Sequence, residues 1–121
     1  MTEPISAEQA IQLALAAPVP LVQTDNVLLG INTFAPGDFF PNHIHEHSEE
    51  TFIGIHGELT LWVEREPQTL RPGDVVVVNR NLEHCLRNDG DAPAVIAYFK
   101  APYLAEDRVP VPWEPAKGQP R

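Results

Sequence analysis

From residue 21 to residue 100 the chain is cut into short apolar runs, each closed within a few residues by glycine, proline, asparagine or aspartate. Residues 27–34 end at Ala35-Pro36-Gly37, and Phe39–His45 ends at a polar turn over residues 46–49. Residues 50–55 end at His56-Gly57. Residues 58–64 alternate, with Leu59, Leu61 and Val63 on one face and Thr60, Trp62 and Glu64 on the other. Pro72-Gly73 precedes the wholly apolar Val75–Val78, which reads as a strand buried on both faces. His84–Arg87 and residues 94–100 follow, separated by a turn at residues 88–91. Runs of this kind, partly β-branched and punctuated by thirteen prolines and seven glycines, read as strands. About seven or eight of them at a spacing near ten residues predict an all-β sandwich or barrel.

The flanks differ. Ser6-Ala7-Glu8-Gln9 has the pattern of a capping box, Ile5 can staple onto Ala10, and Ile11 with Leu15 gives an apolar stripe. These predict a helix over residues 6–16 that stops before Pro18 and Pro20. Beyond residue 101 five prolines (102, 110, 112, 115 and 120) forbid a regular helix. Pro110-Val111-Pro112-Trp113 reads as an extended arm laid over the barrel, or over a partner subunit, through Trp113. The expected organisation of the 121 residues is therefore an N-terminal helix and linker (1–20), a barrel (21–101) and a Pro-rich arm (102–121).

Charge narrows the partners. Seventeen acidic residues against eight basic ones give −9, which argues against nucleic acid or an anionic membrane, since both need basic patches. The start of the chain has neither the basic segment nor the apolar run of a secretory signal, so a cytoplasmic location is expected. Cys85 is the only cysteine, which excludes an intramolecular disulfide and any multi-cysteine metal site. It follows His84 and should point to the opposite face of a strand, where an inert buried thiol is expected.

His43, His45, His47 and Glu50 crowd into eight residues. Residues two apart in a strand share a face, so His43 and His45 should project inward together, and the following turn can bring Glu50 alongside on a neighbouring strand. Two imidazoles and a carboxylate on one concave surface are three ligands for a divalent metal. His47 falls in the turn and reads as a rim residue, whereas His56 has the parity of Glu50 but abuts a glycine turn.

The segment resembles the first cupin motif: Gly, five residues, His-x-His, three or four residues, Glu, six residues, Gly. Here Gly37, His43, His45, Glu50 and Gly57 fill every fixed position. The second motif runs Gly, five residues, Pro-x-Gly, two residues, His, three residues, Asn. It is matched by Gly73, His84 and Asn88, with Asn79 in place of the proline and Asn81 in place of the second glycine. Asparagine is the residue that best substitutes for glycine at positive φ, so the turn at Asn81 can still form. The resemblance spans about residues 27–100 and implies a jelly-roll barrel with one divalent metal on His43, His45, Glu50 and His84. Glu49 is the competing carboxylate, and counting back from Gly57 selects Glu50.

The ligand set suits Fe, Mn, Ni, Cu or Zn without choosing between them. Apolar walls are expected from Phe52, which shares the parity of Glu50, and Phe39, which shares that of His43, with Phe34, Trp62, Tyr98 and Phe99 as further aromatics. Within cupins such a site supports dioxygenases, isomerases and lyases as well as non-catalytic binding proteins. One expectation is thus a metal-dependent enzyme acting on a small oxygenated organic acid or sugar derivative, with Glu49, His56 and Tyr98 as candidate catalytic groups. The other is a module that binds a small molecule or metal without turning it over. A regulatory domain on a DNA-binding protein is disfavoured because no helix-turn-helix segment accompanies the motifs. By the same resemblance, a homodimer is expected.

Overall fold

Two turns of the same chemistry begin the two motif segments. In Ala35-Pro36-Gly37-Asp38 and in Arg71-Pro72-Gly73-Asp74 the glycine has φ 89° and the aspartate N–H donates to the first residue's carbonyl at 2.9 Å. Each aspartate carboxylate also accepts the first residue's N–H at 2.8 Å. Proline presets one central position and glycine supplies the left-handed other, so the chain reverses where the motifs require it.

The computed structural model describes residues 4, 6, 8, 9, 12 and 20–117. Ten strands form among the described residues: β1 (Val22–Gln23), β2 (Leu28–Phe34), β3 (Phe39–His45), β4 (Glu49–His56), β5 (Leu59–Val63), β6 (Glu66–Leu70), β7 (Val75–Val78), β8 (His84–Arg87), β9 (Ala94–Ala101) and β10 (Arg108–Pro110). They make two five-stranded sheets, β1-β2-β9-β4-β7 and β10-β3-β8-β5-β6, with antiparallel pairing throughout. The inner faces enclose one core of Phe34, Phe52, Leu59, Leu61, Leu70, Val78, Leu86, Ala94 and Ile96. This is the all-β barrel expected from the strand spacing, in the jelly-roll form that the resemblance implies.

Several expectations need correction. Val75 and Val77 are 59% and 56% exposed, so the all-valine strand is not buried on both faces. It is the outermost strand of its sheet and keeps only Val76 and Val78 against the core, which composition alone does not reveal. The strand β6 went unseen because its turn, Glu64-Arg65, takes positive φ (51° and 70°) without glycine or asparagine. Its Pro67 is compatible with pairing because β6 is an edge strand, where proline is tolerated.

The capping box at Ser6 is formed: Gln9 N–H donates to Ser6 Oγ at 3.1 Å, and Ser6 N–H to Gln9 Oε1 at 2.9 Å. Residues 8, 9 and 12 are helical, and the rest of the expected helix lies outside the described residues.

The C-terminal arm lies on its own barrel. β10 pairs with β3, and beyond it the Arg87 guanidinium donates to the carbonyls of Pro115 (3.0 Å) and Ala116 (3.1 Å). Arg87 also stacks 5.0 Å above Trp62, and Arg65 sits 5.4 Å above Trp113. Trp62 and Cys85 face this covered side and are fully buried. Burial pushes the Cys85 thiol up to about 12, which keeps it protonated and unreactive, as expected.

Asn88, the last position of the second motif, fastens the loops at this end. Its Nδ2 donates to the carbonyls of Phe34 and Ala92, both at 2.9 Å, and its Oδ1 accepts from Gly90 N–H. Asn88→Ala leaves three backbone groups without their partner, of which the Phe34 carbonyl belongs to a buried residue, and is expected to lower unfolding free energy by about 1–3 kcal/mol in a urea titration. A loss within error of zero would show that water replaces the amide.

Candidate metal centre

β3 and β8 are paired with His43 opposite His84, which places the two imidazoles side by side, ring centroids 4.2 Å apart. His45 follows on the same face of β3, 4.9 Å from His43. Glu50 does not lie alongside them as the hairpin reading expected. The connection over residues 46–48 crosses to the other sheet, so β4 presents Glu50 from the opposite wall of the barrel. Its Oε1 sits 3.0 Å from His45 Nε2 and 3.0 Å from His84 Nε2. One potential ligand atom from each of the four residues lies within 4.8 Å of the others, and all four side chains are buried.

Two of the rings have their tautomer set by the backbone. His43 Nδ1 lies 2.7 Å from the Pro41 carbonyl and His84 Nδ1 3.0 Å from the Leu82 carbonyl. A carbonyl only accepts, so both Nδ1 atoms carry the hydrogen and both Nε2 lone pairs are free to face inward. Burial, reinforced by the neighbouring His84, lowers the His43 pKa to about 3, so this imidazole is neutral at any physiological pH.

The His84 Nε2 lone pair and a Glu50 carboxylate oxygen 3.0 Å apart repel unless a proton or a cation lies between them. That separation is also what neighbouring donors adopt around a divalent ion with bonds of about 2.1 Å. Neutral nitrogens, one carboxylate and second nitrogens held by carbonyls are the donor set such an ion requires, so the residues fit a metal.

The ligand-bearing turn has a support of its own. Asp107, buried at the start of the arm, accepts N–H bonds from His47 (2.9 and 3.2 Å) and Ser48 (2.9 Å). Its Oδ2 is 3.9 Å from His45 Nδ1, a buried nitrogen with no hydrogen-bond partner among the described residues. Asn81 has φ 67°, the left-handed turn expected where the motif carries glycine, and its N–H donates to the His45 carbonyl at 2.7 Å.

His43, His45 and Glu50 open into a cavity of about 210 Å³ that also takes in Phe40, Phe52, Leu86, Ile96, Tyr98, Leu28, Asn32, Lys100 and Arg108. Of the aromatics expected there, Phe52 and Tyr98 line it. Phe39 does not: β3 carries a register shift between Phe40 and His43, and one extra residue exchanges the two faces, so Phe40 turns inward. Trp62 lies on the outer face under Arg87. Phe34 is in the core, and Phe99 pairs with Leu29 and Thr51 on the outward row of its sheet.

Glu49 is exposed beside Glu50, His47 is exposed in the turn, and His56 is exposed beyond a second register shift. Tyr98 alone of the three catalytic candidates reaches the cavity, over Gly30, where an added Cβ would meet its hydroxyl at 2.5 Å. Burial and the charge of Glu50 raise its pKa, so it holds its proton.

Two facing antiparallel sheets with three histidines and a glutamate gathered between them are the architecture of a cupin-type metal barrel. The chain belongs to the cupin domain family, whose match covers residues 30–99. It is 34% identical over 67 residues to quercetin 2,3-dioxygenase of Bacillus subtilis, an alignment that covers 54% of this chain and 20% of that protein. The fold is similar to the TT1209 protein of Thermus thermophilus, with a TM-score of 0.66 at 27% identity, over 69% of this chain and 80% of that one. It is also similar to the DMSP lyase DddQ from Ruegeria pomeroyi, with a TM-score of 0.63 at 25% identity, over 71% and 43% of the two chains. The chain spans about half or less of the lengths of the first curated relatives it matches. No helix among the described residues is long and apolar enough to cross a membrane.

Proposed function

We propose that the chain is a metal-dependent enzyme acting on a small oxygenated organic acid or sugar derivative, with one divalent ion held by His43, His45, Glu50 and His84. What carries this reading is the pair of backbone-locked tautomers, which aim the His43 and His84 lone pairs into the space shared with the Glu50 carboxylate. The ion would supply a Lewis acid and, if redox-active, a centre for dioxygen chemistry. Phe40, Phe52, Leu86 and Ile96 give the cavity apolar walls, and Tyr98 offers a hydroxyl hydrogen to a bound oxygen. Because Tyr98 keeps its proton and Glu49 and His56 lie outside the cavity, the three candidates supply no general base. That favours dioxygenase-like chemistry over isomerase chemistry, in keeping with the likeness to quercetin 2,3-dioxygenase. The same lack of a base supports a second reading, a non-catalytic small-molecule-binding module.

The test is metal content by plasma mass spectrometry on protein purified without an affinity tag, beside a His43→Ala/His84→Ala variant. About one equivalent in the wild type and none in the variant is expected; wild type that takes up no divalent ion overturns the reading. An oxygen electrode then separates the branches: metal-loaded protein that binds small acids but consumes neither oxygen nor acid is the module. We also propose a cytoplasmic homodimer, for which the exposed Val75 and Val77 on the edge strand β7 offer apolar surface. Light scattering on the size-exclusion peak reads the oligomeric state.

A further inference from the structure

Two cations line the cavity with His43, His45 and Glu50, and nothing in the metal reading uses them. Lys100 stands on β9 with its Cα in register between Glu50 of β4 and Leu28 of β2. It therefore continues the inward row of Ile96 and Tyr98. Arg108 stands on β10 in register with His45, and its guanidinium lies 5.3 Å over the ring of Phe40. Cation and aromatic face together hold the guanidinium at the cavity wall while its N–H fork stays available.

Neither cation has an ion pair among the described residues, in a chain with seventeen acidic side chains against eight basic ones. Arg65, Arg71 and Arg87 are all paired with carboxylates. Glu50 is the acid in register with Lys100, yet its contacts go to His45 and His84. Asn32 and Tyr98 add polar groups to the lining of the same cavity. The space is about 210 Å³, below the roughly 300–1,000 Å³ of sites for drug-sized ligands, so whatever it accepts is small.

We propose that Lys100 and Arg108 form a carboxylate subsite, and that the substrate is a small organic dianion, a hydroxy- or oxo-dicarboxylate. One end presents an oxygen pair to the quartet, and the distal carboxylate docks on the two cations. This rests on the metal reading above and narrows its substrate class. Arginine matches a carboxylate with two parallel N–H donors, and lysine adds a point charge on the other wall.

A matched pair of probes tests it on metal-loaded protein by titration calorimetry. Malate and lactate share the α-hydroxy acid end, and only malate has a distal carboxylate. Malate is expected to bind about tenfold or more tighter than lactate. In a Lys100→Met/Arg108→Gln variant the ratio should fall to within about twofold of unity, while lactate affinity and metal content stay as in the wild type. A ratio near one in the wild type, or one that survives in the variant, overturns the subsite. Tighter binding of 3-phosphoglycerate, which carries the same hydroxy acid end with a distal phosphate, overturns the assignment to carboxylate. Metal content is read on every sample: failure to load sinks the metal reading and the subsite with it, whereas loading without discrimination sinks the subsite alone.

Discussion

Glu50→Gln is expected to fold normally and to lose the thermal stabilisation that divalent ions confer. In the wild type, an ion present at about a thousand times its dissociation constant adds about 4 kcal/mol to the folded state. For a chain of this size that is a melting rise of about 10–20 °C. Glu50 is the one anionic member of the quartet and the one supplied by the opposite sheet, so its loss removes the charge that fixes the ion and the donor that closes the site. The amide that replaces it can donate to an imidazole lone pair, which the carboxylate cannot. Metal-free Glu50→Gln should therefore melt no lower than metal-free wild type, while its response to added Mn²⁺ or Co²⁺ shrinks to about 2 °C or less. Scanning fluorimetry with and without chelator measures both. An undiminished ion response in the variant would remove Glu50 from the ligand set and reopen the case for Glu49.

Asp107→Ala should be among the most destabilising substitutions on the polar side of the barrel, by about 2–4 kcal/mol in urea, because it strands the N–H groups of His47 and Ser48 beside a buried ring nitrogen. Burial alone would raise the Asp107 carboxyl, but the N–H donors of His47 and Ser48 prevail and hold it below the ordinary aspartate range. A depressed folded value means that the carboxylate's contribution is whole above the unfolded value of about 3.9 and is lost as the pH falls from there. The gap between wild type and Asp107→Ala should thus be constant from neutral pH to about 5 and close as acid is added below about 4. A gap that stays open under strong acid would mean that the side chain works by packing rather than by charge.

The parts of this molecule readable from sequence are those set by short-range rules. Period two put His43 and His45 on one face, the spacing to Gly57 chose Glu50 over Glu49, and Asn81 was readable because few residues accept positive φ. What escaped depends on pairings made at a distance. Whether Phe39 or Phe40 faces the metal turns on one extra residue in β3, visible only against β8. Val75 and Val77 look like core until β7 proves to be the last strand of its sheet. Lys100 carried a faint signal, the parity of Tyr98 in an apolar strand, but Arg108 had none: it enters the cavity only because residues 108–110 add to β3 some sixty positions away.

The division of the quartet between sheets bears on how an ion would leave. His43, His45 and His84 belong to one wall and Glu50 to the other, with Phe52 and Leu86 packed between the walls just below. No single loop can swing aside and release all four donors. Escape through the cavity must still break bonds to donors on both walls, and parting those walls would expose the same apolar residues that hold the barrel shut. Exchange of a bound ion should consequently be slow, and its rate should follow the breathing of the sandwich, as amide hydrogen exchange in β4 and β8 reports it, more closely than the concentration of a competing chelator.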